Sequence, residues 1–334
     1  MILVLDDGAD AERVIRAEQA VRRAGVDPRR LDAEGGRLAI DAPGLTREQA
    51  ASIPGVAFLL DEARAYRRVA RRGEDEATRV VTVRGVPIGG PLVVLMAGPC
   101  AVEHEAQLDE SARAAAMAGA RVLRGGAFKP RTSPYSFQGL GDEGLRLLRD
   151  AADRHGLAVV TEVLEPGAVG LVGEYADMLQ VGSRNMQNTA LLRAVGRQAR
   201  PVLLKRGMSA TLEEWLLAAE YIADAGNEDI VLCERGVRSF DPASRNLLDV
   251  AAVPLLRART RLPIAVDPSH GVGVKSAIAP MAFAAVAAGA DAVMVECHPD
   301  PGTARSDGFQ ALDPGELSVL GARLRAVAVA VGRS

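Results

Sequence analysis

The stretch LVVLMAGPC, from Leu92 to Cys100, decides the fold, because an apolar run of strand length ends there in a Gly-Pro turn. Seven similar apolar runs follow, separated by amphipathic helical patterns such as Glu105–Ala118, Leu212–Asp224 and Lys275–Ala288. The eight predicted strands are Leu92–Ala97, Arg121–Leu123, Ala158–Thr161, Met178–Val181, Val202–Leu204, Ile230–Cys233, Ile264–Val266 and Ala292–Val295. Eight strands in strict alternation with helices predict a (β/α)8 TIM barrel. A doubly wound open sheet is the rival, but no GxGxxG follows the first strand.

Residues 1–66 form a separate pattern that predicts a small ferredoxin-like α+β domain. It contains three predicted strands and two predicted helices, in the order Ile2–Leu5, Ala11–Ala24, Arg37–Ile40, Thr46–Ser52 and Val56–Leu60. Residues 67–79 are highly charged and are predicted to be a solvated linker. The barrel domain is assigned to residues 80–334, and its first segment, Val80–Ile88, is interpreted as a hairpin that closes the bottom of the barrel.

The composition excludes several classes of protein. Forty basic residues against 43 acidic ones give a net charge of -3, which does not favour a nucleic-acid-binding protein. No apolar run is long enough to cross a membrane, and the N-terminus lacks the pattern of a secretion signal. The chain has only three cysteines, and an odd number cannot all pair within one chain, so a disulfide framework is not expected. We therefore expect a protein of the reducing cytoplasm.

A polar or charged residue follows every predicted strand of the barrel. In a TIM barrel these positions converge on the carboxyl-terminal face, where active sites lie. Six of them are cationic, and so many positive charges in one cavity would repel one another unless anions filled it. We therefore expect ligands that carry several negative charges. The six residues are Arg124, Lys129, Arg131, Arg184, Lys205 and Arg235.

A second set at the same strand ends has the chemistry of a metal site. It consists of Cys100, His270, Glu296 and Asp307. A thiolate, an imidazole and two carboxylates suit Mn, Fe, Co or Zn better than Mg or Ca. Cys233 and Cys297 are interpreted as packing residues, and His298 as a neighbour of the metal ligands.

These residues lie in motifs that resemble the 3-deoxy-D-arabino-heptulosonate-7-phosphate (DAHP) synthase family. The likeness runs from about Val80 to the C-terminus. The motifs are AGPCAVE (Ala97–Glu103), RGGAFKPRTSPYSFQGLG (Arg124–Gly141), VGSRNMQN (Val181–Asn188), LLKRGMSAT (Leu203–Thr211), LCERGVRSF (Leu232–Phe240), VDPSHG (Val266–Gly271) and the later VECHP and SDG. The N-terminal unit is similar to the ferredoxin-like, ACT-like regulatory domain of one branch of that family.

The resemblance implies an aldol-type condensation of phosphoenolpyruvate with erythrose 4-phosphate, the first step of the shikimate pathway. It also implies one divalent metal ion, a homotetramer and feedback inhibition by tyrosine or phenylalanine. Cys100, His270, Glu296 and Asp307 match the metal ligands, and Lys129, His270 and Cys100 are the expected catalytic residues. The expected phosphoenolpyruvate site is Arg124, Lys129, Arg184, Lys205 and Arg235, and the expected erythrose 4-phosphate site is Pro130, Arg131, Thr132, Ser133 and Asp267.

Two other functions remain open from the sequence. The sister synthase, which makes 3-deoxy-manno-octulosonate 8-phosphate from arabinose 5-phosphate, shares the barrel and the phosphoenolpyruvate site. The Pro130–Ser133 segment favours the enzyme that uses the four-carbon aldose. A non-catalytic barrel kept as a ligand sensor is the other alternative, and the intact set of metal donors argues against it.

Overall fold

The computed structural model describes residues 1–6, 8–32, 38–60, 65–73, 75–129 and 133–334. The chain divides into two compact units, residues 1–76 and 77–334, so the division falls within the predicted linker. Among the described residues, no helix is both long enough and apolar enough to cross a membrane.

The N-terminal unit is a four-stranded antiparallel sheet with two helices. In chain order it contains β1 (Ile2–Leu5), α1 (Ala11–Arg23), β2 (Arg29–Asp32), β3 (Leu38–Asp41), α2 (Arg47–Ala51) and β4 (Val56–Leu60). The strands lie in the order β2-β3-β1-β4. This β-α-β-β-α-β succession is the one found in ferredoxin-like domains and is compatible with the small extra domain that we expected.

The interior of this unit follows the two periodicities of its sequence. Leu3 and Leu5 alternate along β1 and pack against Val14 and Val21, which recur at helical spacing along α1. Thr46 caps α2, and its side chain and that of Gln49 form a reciprocal capping box.

Strand β2 was not predicted from the sequence. Its residues, Arg29 to Asp32, carry three charged side chains, and the strand lies at the edge of the sheet, paired only with β3 among the described strands. An edge strand needs little apolar surface and often carries charge, so the apolar pattern that revealed the other three strands is absent.

The second unit contains the predicted barrel. Its eight parallel strands close in the order β7 to β14, with β14 paired to β7. They are β7 (Val94–Gly98), β8 (Val122–Arg124), β9 (Ala158–Val163), β10 (Met178–Val181), β11 (Val202–Lys205), β12 (Ile230–Glu234), β13 (Ile264–Val266) and β14 (Ala292–Glu296), preceded by the hairpin strands β5 (Val81–Val83) and β6 (Val86–Ile88). The (β/α)8 expectation is confirmed.

Helices follow the strands around the barrel. They are α3 (Glu105–Met117), α4 (Asp142–Arg154), α5 (Val169–Tyr175), α6 (Thr189–Gly196), α7 (Leu212–Asp224), α8 (Ala252–Arg257), α9 (Pro268–Val272), α10 (Lys275–Ala287) and α11 (Pro314–Ala330). Short 3-10 turns lie at Pro166–Ala168, Ser183–Asn185, Pro301–Thr303 and Gly308–Gln310. Thr211 and Asp313 begin α7 and α11 with capping boxes, so the start of each helix is fixed locally.

The hairpin closes one end of the barrel interior. Strands β5 and β6 turn at Arg84 and Gly85, which both have positive φ, as a tight type I′ turn requires. Val81, Val83 and Ile88 of the hairpin are fully buried and belong to the same cluster as the inward-facing residues of the strands. This end is therefore packed with apolar side chains, and the polar residues lie at the carboxyl ends of the strands.

Candidate active site

The four candidate metal ligands meet at the carboxyl end of the barrel. Cys100 follows β7, His270 lies in α9 just after β13, Glu296 ends β14, and Asp307 lies in the loop that follows. One donor atom from each side chain lies within 4.8 Å of the others. Cys100 and Glu296 are 4% and 1% exposed, so this is not a loose cluster of surface acids.

The backbone around Asp307 is built for this position. Asp307 has a left-handed φ of 52°, which is uncommon for a residue other than glycine and costs energy. A Cβ on the next residue, Gly308, would lie 2.2 Å from the backbone oxygen of Pro301. The loop therefore needs glycine at position 308. In this backbone conformation the side chain of Asp307 points toward Cys100, and 3.2 Å separates Asp307 Oδ2 from Cys100 Sγ.

The donor chemistry fits a divalent transition metal. A sulfur, an imidazole nitrogen and two carboxylate oxygens combine soft and hard ligands, a set that suits Mn, Fe, Co or Zn. Cys100, His270, Glu296 and Asp307 would hold such an ion.

Charge is concentrated around His270. Its Nδ1 lies 2.7 Å from Asp267 Oδ2 and its Nε2 lies 3.1 Å from Glu296 Oε1. Burial opposes protonation, but the negative charges of Asp267 and Glu296 outweigh it and raise the pKa of His270 to about 10. The same pairing overcomes the effect of burial on Glu296 and holds the pKa of that carboxyl well below its usual range.

The cationic side chains line a cavity of about 340 Å³ beside the candidate metal ligands. Five of the six predicted cations contribute to its wall: Arg124, Lys129, Arg184, Lys205 and Arg235. The sixth, Arg131, lies outside the described residues. His270, Asp307 and Ser133 line the same cavity, so the two sets derived from the sequence share one space.

Arg124 and Lys129 connect the cation set to the metal donors. Arg124 is 4% exposed, and its Nη1 donates to the backbone oxygen of Pro99 at 2.7 Å and to Glu296 Oε1 at 3.0 Å. Its buried Nε has no hydrogen-bond partner among the described residues, so donor capacity is left over. Lys129 Nζ lies 2.9 Å from the backbone oxygen of Cys100 and 3.0 Å from its Sγ.

Lys205 and Arg235 are held in place by their neighbours in sequence. Arg206 and Glu234, which flank them, form a buried ion pair of 2.9 Å, and Arg206 also contacts Asp249 at 2.9 Å. The pair ties the ends of β11 and β12 together behind the cavity. Burial lowers the pKa of Arg235, and the neighbouring positive charge of Arg245 acts in the same direction.

The segment expected to bind the second substrate is described only in part. Pro130, Arg131 and Thr132 lie outside the described residues, whereas Ser133 lines the cavity. Asp267 is fully buried, and its carboxylate contacts Lys205 and His270. The expected contact of Asp267 with the second substrate stays a prediction. The contacts in the structure indicate that Asp267 orients the side chains of Lys205 and His270.

Several polar residues of this region had no role in the sequence analysis. Glu162, Gln180 and Arg245 line the cavity, and Gln310 and Arg245 contact the candidate metal ligands Glu296 and Asp307 respectively. Only the position of Glu162, directly after an apolar run, gave a signal in the sequence. His298 contacts the backbone of Asp300 through Nδ1, and its Nε2 lies 3.6 Å from Glu103.

Together these features define a TIM-barrel enzyme for multiply anionic ligands, with a candidate metal centre beside the cations. The model of the DAHP synthetase I family matches residues 75–331, and the chain belongs to that family.

A known protein and a solved structure, both from Thermotoga maritima, support this assignment over most of the chain. A Thermotoga maritima protein named phospho-2-dehydro-3-deoxyheptonate aldolase is 52% identical over 248 residues, which cover 74% of this chain and 73% of that protein. The crystal structure of a phospho-2-dehydro-3-deoxyheptonate aldolase (DAHP synthase) from Thermotoga maritima matches with a TM-score of 0.79 and 41% identity, over 100% of this chain and 98% of that one.

The sister synthase is a more distant relative. A Koribacter versatilis protein named 2-dehydro-3-deoxyphosphooctonate aldolase is 34% identical over 252 residues, covering 69% of this chain and 89% of that protein.

Proposed function

We propose that this chain condenses phosphoenolpyruvate with D-erythrose 4-phosphate to give DAHP and inorganic phosphate. The observation that carries the proposal is the shared cavity, in which five of the predicted cations and two of the four metal donors face the same space of about 340 Å³. Two phosphorylated substrates need that density of positive charge. The names of the relatives that are 52% and 41% identical support the same reaction.

The cations are assigned to phosphoenolpyruvate. Guanidinium groups suit bidentate contacts with phosphate and carboxylate, and an ammonium group acts as a point charge. Arg184, Lys205 and Arg235 would hold the phosphate, while Arg124 and Lys129, next to the metal donors, would hold the reacting end. Fixing both substrates in one orientation contributes much of the rate enhancement in a reaction of this kind.

The bound metal would polarise the aldehyde carbonyl of erythrose 4-phosphate as a Lewis acid. C3 of phosphoenolpyruvate attacks that carbonyl carbon, water adds at C2, and phosphate leaves by cleavage of the C–O bond. Both ring nitrogens of His270 face carboxylates, whereas Nζ of Lys129 contacts a backbone oxygen and the sulfur of Cys100 and, among the described residues, no carboxylate. Lys129 is therefore better placed than His270 to donate or accept a proton.

The second substrate is assigned to the segment that begins at Pro130. Arg131, Thr132 and Ser133 would bind its phosphate, and Ser133 supports this assignment because it lines the cavity. The alternative substrate, arabinose 5-phosphate, is disfavoured by the Pro-Arg-Thr-Ser sequence at Pro130–Ser133 and by the lower identity to the sister synthase.

Initial rates with each aldose phosphate test the reaction directly. Purified protein with Mn²⁺ and phosphoenolpyruvate should release phosphate faster with erythrose 4-phosphate than with arabinose 5-phosphate. Cys100→Ala, which removes one metal donor, and a chelator should each abolish the release. Faster turnover of arabinose 5-phosphate would overturn the choice of substrate, and a rate that survives the chelator would overturn the metal requirement.

The N-terminal unit is proposed to be an ACT-like regulatory domain that binds tyrosine or phenylalanine, in a homotetrameric protein. Its separate apolar cluster and its β-α-β-β-α-β order support a domain distinct from the barrel. The Thermotoga maritima structure matches 100% of this chain, so the match includes the N-terminal unit.

A further inference from the structure

Gln310 lies between the candidate metal ligand Glu296 and the guanidinium of Arg245. Its side chain is fully buried, and its Nε2 donates to Glu296 Oε2 at 2.6 Å. Its Oε1 accepts a hydrogen bond from Arg245 Nη1 at 3.0 Å. Its backbone nitrogen donates to the backbone oxygen of Asp307 at 3.1 Å, so one residue contacts the segments of both candidate carboxylate ligands.

Arg245 extends these contacts to the segment that carries a third candidate ligand, His270. The same Nη1 lies 3.4 Å from Asp307 Oδ1, and the backbone nitrogen of Arg245 donates to the backbone oxygen of Val272, two residues after His270. A Cβ on Gly273 would lie 2.5 Å from Cβ of Arg245, so glycine at that position is what lets the arginine approach. Arg245 thus links the His270 segment to the Asp307 loop.

We propose that Gln310 and Arg245 are positioning residues that hold Glu296 and Asp307 in the geometry that binds metal. A carboxylate only accepts hydrogen bonds and a guanidinium only donates them. A glutamine amide satisfies both at once without adding charge. Glutamate at position 310 would put two carboxylates 2.6 Å apart, and methionine would keep the length of the side chain but make neither bond.

The other contacts of Glu296 explain why the hydrogen bond from Gln310 fixes the orientation of this carboxylate. Its other oxygen, Oε1, is already shared by Arg124 at 3.0 Å and His270 at 3.1 Å. The bond from Gln310 to Oε2 therefore removes the remaining freedom of the carboxylate to rotate. Ligands that are oriented before the metal arrives bind it more tightly, because less order has to be created on binding.

Cobalt titration of the metal-free protein tests the proposal without using turnover. The visible absorption of bound Co²⁺ reports both affinity and coordination geometry. Gln310→Met and Arg245→Met should each weaken Co²⁺ binding about 10–100-fold and alter the spectrum. Arg245→Lys, which keeps one donor, should fall between Arg245→Met and the unaltered protein. The double variant should lose less than the product of the two single losses, because both residues belong to one chain of hydrogen bonds.

Gln180→Met is the matched control. Gln180 is a buried glutamine on the same face of the barrel, and its Nε2 lies 3.5 Å from Glu162, which is not among the candidate metal ligands. Its Co²⁺ affinity should stay within about twofold of the original. Thermal unfolding of each metal-free variant shows whether the fold is retained, and Arg245, with 37% of its side chain exposed, gives a variant that should fold even if Gln310→Met does not.

Unchanged Co²⁺ affinity in Arg245→Met and Gln310→Met would overturn the proposal, and so would an equal loss in Gln180→Met. The inference rests on the metal centre of the proposed function but not on the substrates. A chain that binds Co²⁺ yet does not condense phosphoenolpyruvate with erythrose 4-phosphate would contradict the proposed reaction and leave this inference standing.

Discussion

Lys205 donates to Asp267 at the base of the cationic cavity, with 2.5 Å between Nζ and Oδ2. The same oxygen lies 2.7 Å from Nδ1 of His270. Asp267 therefore joins a cation of the proposed phosphate site to a candidate metal ligand. Burial works against the charge of Asp267, but His270 and Lys205 hold the pKa of its carboxyl well below its usual range.

Asp267→Asn should damage both activity and stability. The amide keeps the volume but removes the charge that two buried cations share, and breaking a buried ion pair typically costs about 3–5 kcal/mol. The free energy of unfolding should fall by about that amount, and kcat/KM should fall about 10–100-fold because His270 and Lys205 lose their orientation. Denaturant titration and steady-state kinetics measure the two effects.

Asp313→Asn is the matched control for that experiment. Asp313 is partly exposed and caps α11, and asparagine caps helices equally well. The control should change neither stability nor kcat/KM appreciably. An Asp267→Asn protein that unfolds at the same denaturant concentration as the original would show that the buried charge adds nothing to stability.

Lys129→Met should reduce kcat/KM by about 10²–10³-fold, because an ammonium beside the reacting atoms is replaced by an apolar group of similar length. The expected loss is larger in kcat than in KM if Lys129 acts on the developing charge. Lys275→Met, which removes a partly exposed partner of Glu316, is the control and should have little effect. Equal kinetics for the two variants would remove Lys129 from the reaction.

Two of the three thiols, Cys233 and Cys297, should be unreactive across the usual pH range, because their pKa lies far above it. Burial raises the pKa of Cys233 and of Cys297 to about 12 each, and both are almost fully enclosed. At pH 8 a thiol of pKa 12 is ionised in only about one molecule in 10⁴, and raising the pH to 9 leaves it overwhelmingly protonated.

Cys100 should be the thiol that an alkylating reagent modifies in the folded, metal-free protein. Its Sγ lies 3.0 Å from Nζ of Lys129, which lines the cavity. A metal bound through that sulfur should slow the modification. Mass spectrometry of peptides after alkylation at pH 7, 8 and 9, with and without Mn²⁺, identifies the labelled cysteine. Labelling of Cys297 at the rate of Cys100 would contradict the burial argument, and labelling of Cys100 that Mn²⁺ does not slow would contradict its role as a ligand.

The sequence predicted the barrel strands well because each is an apolar run closely followed by a polar or charged residue. Met178–Val181 and Ile264–Val266 have the predicted bounds, and the other six differ at one or both ends. Strand β2 could not be predicted in this way, since pairing with β3, and not apolar burial, holds the polar sequence of Arg29–Asp32 in place.

The residues of the candidate site also differ in how well the sequence predicts them. Residues at the carboxyl ends of strands, such as Lys205 and Glu296, are placed by the barrel itself, so their convergence follows from the strand pattern. Gln310 and Arg245 lie in loops, and the packing of those loops decides what they contact. The burial of Asp267 was missed for a related reason: its position after β13 was predicted, but the direction in which the turn into α9 points its carboxylate was not.

Removal of residues 1–76 should leave a folded barrel that still condenses the two substrates. The cluster that closes the barrel interior begins at Val81, so its described members all lie beyond the deletion. If the N-terminal unit is the regulatory domain, tyrosine or phenylalanine should inhibit the complete chain and have no effect on the shortened one. Initial rates of both proteins against increasing concentrations of each amino acid measure this. Inhibition that persists in the shortened chain would place the effector site on the barrel, and a complete chain that neither amino acid inhibits would contradict the regulatory role.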